Sequence, residues 1–126
     1  FNGVTTRYPD IRFILSHAGG TLPMLAHRLS IFDKLTKFRD NYPDGALAHI
    51  KRFYYDTALS GHAGPLAALR AFVPDTQILF GTDYPYIPAE TAVSETRGYD
   101  AFDGFGANKG LVERGNAERL WPGLAS

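Results

Sequence analysis

Ile11-Arg12-Phe13-Ile14-Leu15-Ser16-His17-Ala18-Gly19-Gly20 is the stretch on which the fold turns. From Ile11 to Ser16 it is rich in aromatic and branched side chains and nearly continuously apolar, the pattern of a strand covered on both faces. It stops at a histidine and two glycines. Beyond them Leu22, Leu25, Leu29 and Phe32 step by three, four and three, which predicts a helix with Pro23 in its first turn. A buried strand, a polar turn and an amphipathic helix make one β/α unit.

The unit recurs. Phe53–Ala58 and Gln77–Thr82 read as two further strands. A second helix is expected from near Pro65 through Leu66, Leu69 and Val73 to Pro74-Asp75, and a last helical stretch over Lys109–Arg114 and Asn116–Leu120. Prolines and glycines from Pro85 to Gly106 predict irregular chain between them. Such alternation predicts an α/β fold with right-handed crossovers and a parallel sheet. With strand ends near His17, Ala58 and Asp83, two repeats cover 66 residues, 33 each, against about 31 per unit in a (β/α)8 barrel. A doubly wound sheet has similar repeats and remains the alternative. Three parallel strands cannot close a barrel, and the chain opens on Phe1 rather than Met. Residues 1–126 are therefore expected to be a partial barrel domain of a longer protein, without its N-terminal strands.

Composition narrows the chemistry. The 126 residues carry 13 Lys and Arg against 13 Asp and Glu, so the positive field that drives nucleic-acid binding is missing and no nucleic-acid partner is expected. The longest apolar run is four residues, Leu66 to Leu69, far short of the roughly 20 a membrane span needs, so no membrane association is expected. There is no cysteine, which excludes disulfides and thiolate sites and fits a cytoplasmic protein. Any metal must be held by His, Asp or Glu.

In either parallel architecture the ligand site lies beyond the carboxyl ends of the strands. The three runs lead into His17, into Ser60-Gly61-His62 and into Asp83. An imidazole and a carboxylate are the donors a cysteine-free divalent-metal site would use. Alternation places residues 13, 15 and 17 on one face and 79, 81 and 83 on one face, so His17 and Asp83 are expected to converge. Each has a plainer reading. His17 can instead bond the Gly19-Gly20 loop, Asp83 can bond its own turn before Tyr84-Pro85, and His62 can be a solvated loop residue. His27 and His49 read as surface residues. Asp56 is expected to be paired with an arginine or turned toward the pocket. Tyr84 and Tyr86 are candidates to pack against a planar substrate, or plain rim aromatics.

Arg7-Tyr8-Pro9-Asp10-Ile11 leading into Ser16-His17-Ala18-Gly19-Gly20, then Tyr55-Asp56-Thr57-Ala58, Gly81-Thr82-Asp83-Tyr84-Pro85 and Gly115-Asn116-Ala117, occur in that order. Together they resemble the C-terminal part of the amidohydrolase-related metal enzymes of the aminocarboxymuconate-semialdehyde decarboxylase type, with the 6-methylsalicylate decarboxylases the nearest in flavour. The resemblance implies strands six to eight of a metal-dependent (β/α)8 barrel. It implies that Asp83 ligates a divalent metal, zinc or in some members manganese, and that His17 acts beside it as an acid, base or polarising group. Beside these implied roles, Tyr84, Tyr86 and His62 are expected as candidate substrate contacts. The implied activity is decarboxylation of an aromatic hydroxy acid or muconate-like carboxylate by an intact homodimer. The alternatives are a lactone, ester or amide hydrolase on the same barrel, or an inactive half-barrel that docks on another chain. The His-x-His pair and strand-five His of that family are not in this chain, so the isolated piece is expected to bind metal weakly and to be inactive.

Overall fold

Three parallel strands, β1 (Ile14–Leu15), β2 (Tyr54–Asp56) and β3 (Ile78–Leu79), lie in the order β1-β2-β3 in the computed structural model, which describes residues 2–124. Each falls inside a run expected to be a strand, but regular pairing is short. Its limits are physical. The extended run of β2 is closed on one side by a turn in which the Phe53 amide donates to the Ile50 carbonyl, and on the other by Leu59 in a left-handed conformation (φ 49°). Among the described residues the outer strands pair with β2, β1 ending opposite Tyr55 and β3 opposite Asp56.

Around the sheet run α1 (Val4–Arg7), α2 (Leu22–Ser30), α3 (Thr36–Arg39), α4 (Ala46–Ile50), α5 (Ala63–Phe72), α6 (Ala89–Asp100) and α7 (Asn116–Leu120). The helices expected from spacing, α2 and α5, are present, and the last stretch is a π-helical turn over Leu111–Gly115 continued by α7. None of the described helices is long and apolar enough to cross a membrane.

Two expectations fail here. The segment read as irregular holds α6, of 12 residues. Its sequence shows little apolar stripe; it is fixed by backbone contact, since a Cβ on Gly98 would sit 2.0 Å from the Gly61 carbonyl oxygen and one on Gly61 would sit 2.1 Å from that of Glu95. Only glycines allow the two segments to touch. His49, read as a surface residue, is 4% exposed. Its Nδ1 lies 2.8 Å from the Thr5 hydroxyl and its ring meets Tyr42 edge to face at 5.0 Å. Burial, then the nearby Arg52 charge, lowers its pKa below the usual histidine value.

The core lies on one face of the sheet. Tyr55 and Ile78 are fully buried against Leu66, Leu69 and Phe72 of α5, with Tyr99, Phe105 and Val112 in the same cluster and Leu15, Phe53 and Phe80 packed onto it. Burying each such aliphatic side chain contributes about 1.5–3 kcal/mol. Ile14, Tyr54 and Asp56 point the other way, and Ile14 is 38% exposed. The helices of this core cover one face; on the other, Ile14 is exposed and Tyr54 and Asp56 are half-buried, while Leu79 is buried.

Register corrects the alternation argument. Leu15 pairs with Tyr55 and Tyr55 with Ile78, whereas Leu79 pairs with Asp56. Neighbours paired in a parallel sheet share a face, so residue 15 faces the core with Tyr55 and residue 79 the opposite side with Asp56. The odd-numbered positions of β1 and β3 are out of phase, and alternation alone does not bring His17 and Asp83 together.

Candidate active site

Each strand runs into a tightly bonded turn at the carboxyl edge of the sheet. After β1, Ser16 is still extended (φ −69°, ψ 161°), and then His17, Ala18, Gly19 and Gly20 all take positive φ, between 54° and 74°. Such a run costs non-glycine residues strain that neighbouring groups must offset. Gly19 is the position where glycine is needed twice over, for its φ of 74° and because a Cβ there would lie 2.7 Å from the buried Tyr55 ring. The amide of Gly20 donates to the His17 carbonyl at 2.7 Å and closes the turn.

Asp56 at the end of β2 completes it. Its Oδ1 accepts from the backbone N–H of His17 at 2.8 Å and of Ala58 at 3.1 Å. The expected arginine partner is not what balances it: both hydrogen bonds come from backbone amides, since the left-handed turn delivers the His17 N–H to the strand end. The His17 ring in turn has Nδ1 3.2 Å from the Ala58 carbonyl. With Nδ1–H donating there, Nε2 is the nitrogen left to exchange a proton. No partner meets Nε2 among the described residues. The turn, not strand alternation, brings this imidazole over the end of β2.

After β3, the Thr57 hydroxyl lies 3.1 Å from both the carbonyl and the amide of Gly81 and pins the strand end. Asp83 comes next in a left-handed conformation (φ 69°), its carbonyl accepting from the amides of Tyr86 at 2.9 Å and Ile87 at 3.3 Å. The side-chain bond of this turn comes from Thr82, whose Oγ1 accepts the Tyr84 N–H at 3.3 Å. The carboxylate of Asp83 is therefore not consumed by its own turn, and it makes no hydrogen bond or ion pair among the described residues. His17 and Asp83 succeed the two outer strands on the same edge, with β2 between.

The other candidates fall outside this pair. His62 precedes α5, is mostly exposed, and has Nε2 3.5 Å from Glu95 of α6; the same carboxylate accepts the Gly61 N–H at 2.7 Å. Tyr84 is 63% exposed and Tyr86 91%. Tyr84 lines an apolar cavity of about 420 Å³ with Thr82, Ala89, Ala92, Val93 and Thr96. His17 lines a separate cavity of about 440 Å³ with Met24, Leu59, Ser60 and Pro65. Among the described residues no three His, Asp or Glu side chains gather as a metal site would require. One carboxylate and one imidazole fall short of the three protein ligands of a catalytic zinc, so these residues do not by themselves fit a metal centre.

Comparison with known proteins agrees with the motifs. The amidohydrolase family model matches residues 1–123. Decarboxylase macB of Penicillium terrestre is 36% identical over 124 residues, covering 96% of this chain and 37% of that protein. The 6-methylsalicylic acid decarboxylase of Penicillium expansum is 36% identical over 124 residues, covering 98% of this chain and 38% of that protein. Among solved structures, 2,6-dihydroxybenzoate decarboxylase complexed with 2,6-dihydroxybenzoate superposes with a TM-score of 0.79 at 23% identity, over 95% of this chain and 37% of that one. The 5-carboxyvanillate decarboxylase of Novosphingobium aromaticivorans, complexed with manganese and 4-hydroxy-3-methoxy-5-nitrobenzoic acid, gives 0.77 at 19%, over 95% of this chain and 35% of that one. These structural likenesses show that the three-stranded parallel α/β fold of this chain recurs in about a third of each of those chains. The chain spans little more than a third of the length of the curated relatives it matches.

Proposed function

The chain belongs to the amidohydrolase family, and from that premise we propose that residues 1–126 form strands six to eight of a (β/α)8 barrel that decarboxylates a hydroxy-aromatic acid. The observation that carries the reading is the pair of unpartnered groups on one sheet edge, Nε2 of His17 and the carboxylate of Asp83. The sheet face opposite the core, which carries Ile14, Tyr54 and Asp56, supports it, because in a closed barrel that face is the interior. Relatives named as decarboxylases at 36% identity support the reaction class.

His17 is the acid. Loss of carbon dioxide from an ortho-hydroxy carboxylate needs a proton on the ring carbon that bears the carboxylate. The Nε2 proton goes to that carbon, the bond to the carboxylate breaks, its electron pair returns to the ring, and carbon dioxide leaves. The Ala58 carbonyl holds Nδ1–H, so the neutral ring takes up a proton at Nε2 and the resulting imidazolium delivers it from there. Asp83 is assigned as one ligand of a divalent cation, zinc or manganese, whose other ligands come from strands outside this chain; manganese in the 5-carboxyvanillate decarboxylase supports a divalent ion. Tyr84 stacks on the substrate ring, worth about 0.5–1.5 kcal/mol, with Tyr86 and His62 at the rim.

The test is release of labelled carbon dioxide from a panel of 2-hydroxybenzoates by the full-length protein. Release that His17→Asn reduces by about 10²-fold or more is expected. Opening of lactones or esters without carbon dioxide release would make the protein a hydrolase and overturn the proposal. The 126-residue piece alone is expected to release none.

A further inference from the structure

Among the groups the mechanism does not use, Asp56 has the most unusual position. It ends the central strand on the sheet face opposite the core, between the two outer strands that lead into His17 and Asp83. It has no arginine or lysine partner among the described residues. Its hydrogen bonds join two different segments. Oδ1 accepts from the His17 amide at 2.8 Å and from the Ala58 amide at 3.1 Å, while the Ala58 carbonyl lies 3.2 Å from Nδ1 of the His17 ring. The three residues form a closed loop. Asp56 grips the backbone of His17, orients the peptide just beyond β2, and the carbonyl of the residue so held receives the ring. Both ends of the imidazole's posture, its φ of 59° and its Nδ1 contact, thus depend on one oxygen atom.

We propose that Asp56 is a positioning residue that holds the His17 turn left-handed and its imidazole with Nδ1–H on the Ala58 carbonyl, so that Nε2 is the nitrogen that takes up and delivers the proton. Asp56 acts through His17 and touches no substrate. The inference rests on the reading of His17 as the acid, so its test needs a readout that does not depend on turnover. An acceptor oxygen is what the geometry uses. Asparagine, which keeps an oxygen at Oδ1, preserves the loop, while alanine removes it.

The experiment compares Asp56→Asn and Asp56→Ala in the full-length protein, by carbon dioxide release from 2-hydroxybenzoates and by nitrogen-15 NMR of labelled histidine rings. His17 is assigned by loss of its signal in His17→Gln. Asp56→Ala is expected to lower kcat on the order of 10²-fold with KM changed less than about threefold, the scale of a displaced catalytic group. Its His17 ring is expected to lose the fixed Nδ1–H pattern and show a mixture of tautomers. Asp56→Asn is expected to stay within about threefold of the parent kcat, with the Nδ1–H pattern kept. Asp56→Ala leaving the His17 nitrogen signals unchanged would overturn the proposal. So would Asp56→Asn losing as much as Asp56→Ala, since that would mean the charge acts directly. If Asp56→Ala does not fold, the Asp56→Asn arm decides alone, by its kcat and its His17 pattern. If the protein releases no carbon dioxide at all while Asp56→Ala still scrambles the His17 tautomers, the decarboxylase reading falls and the positioning role stands.

Discussion

Gly19→Ala probes the turn that carries His17, and its cost can be worked from two separate terms. Alanine at φ 74° sits in the left-handed region, a penalty of about 1–2 kcal/mol. Its Cβ would also lie 2.7 Å from Cε1 and 2.9 Å from Cδ1 of Tyr55. That ring has no room to yield: Tyr55 is fully buried, packs edge to face on Phe72 at 5.8 Å, and its hydroxyl donates to the Ile50 carbonyl at 2.7 Å. Overpacking of this kind costs about 1–3 kcal/mol more, for a total of about 2–5 kcal/mol. Gly3→Ala is the control. It has a similar φ of 66°, but its nearest contact, at 3.1 Å, is the side-chain oxygen of Asn41 rather than a locked ring. It should lose about 1–2 kcal/mol. Urea unfolding of both variants gives the difference. Equal losses would refute the claim that the His17 turn rests on Tyr55.

Asn116→Leu removes the donor to two carbonyls, those of Asp75 at 2.8 Å and Ile78 at 2.7 Å; a loss of about 2–4 kcal/mol in urea unfolding is expected, and less than about 1 kcal/mol would deny the residue its bridging role. Asp75 is raised by burial but lowered more by hydrogen bonds from Arg70 and Asn108, for a net pKa below the ordinary carboxylate value. Its contribution is therefore full above the unfolded value near 4 and fades as pH drops through the folded one, so Asp75→Asn should flatten the acid side of the stability curve below about pH 4. An unchanged slope would contradict this. Tyr84→Ala in the full-length protein should raise the hydroxybenzoate dissociation constant about 2- to 12-fold; an unchanged affinity removes Tyr84 from the substrate site.

The strands and the helices α2 and α5 were legible because burial leaves a local signature: apolar runs such as Phe13-Ile14-Leu15, and leucines at helical spacing. What was not legible depends on residues far apart in the chain. α6 is held by Gly61 against Gly98, 37 positions on, and neither glycine signals the other. His49 is buried by Thr5, 44 positions earlier, and by Tyr42. His17 and Asp83 were found as strand-end residues, but the alternation argument placed them by the wrong device. The relative phase of two strands is set by pairing with a third, and β1 and β3 prove opposite. Asp56 stood out as a carboxylate in an apolar strand. Its partners could not be read, because they are backbone amides exposed only once the chain turns left-handed.

The most direct measurement is a crystal structure of the full-length protein with manganese and a nitro analogue of a 2-hydroxybenzoate, read for the distance from His17 Nε2 to the ring carbon bearing the nitro group. The account expects about 3.5 Å, with Asp83 on the cation and the ring between the two. A cation bound without Asp83, or a His17 imidazole turned away from the ligand, would contradict it.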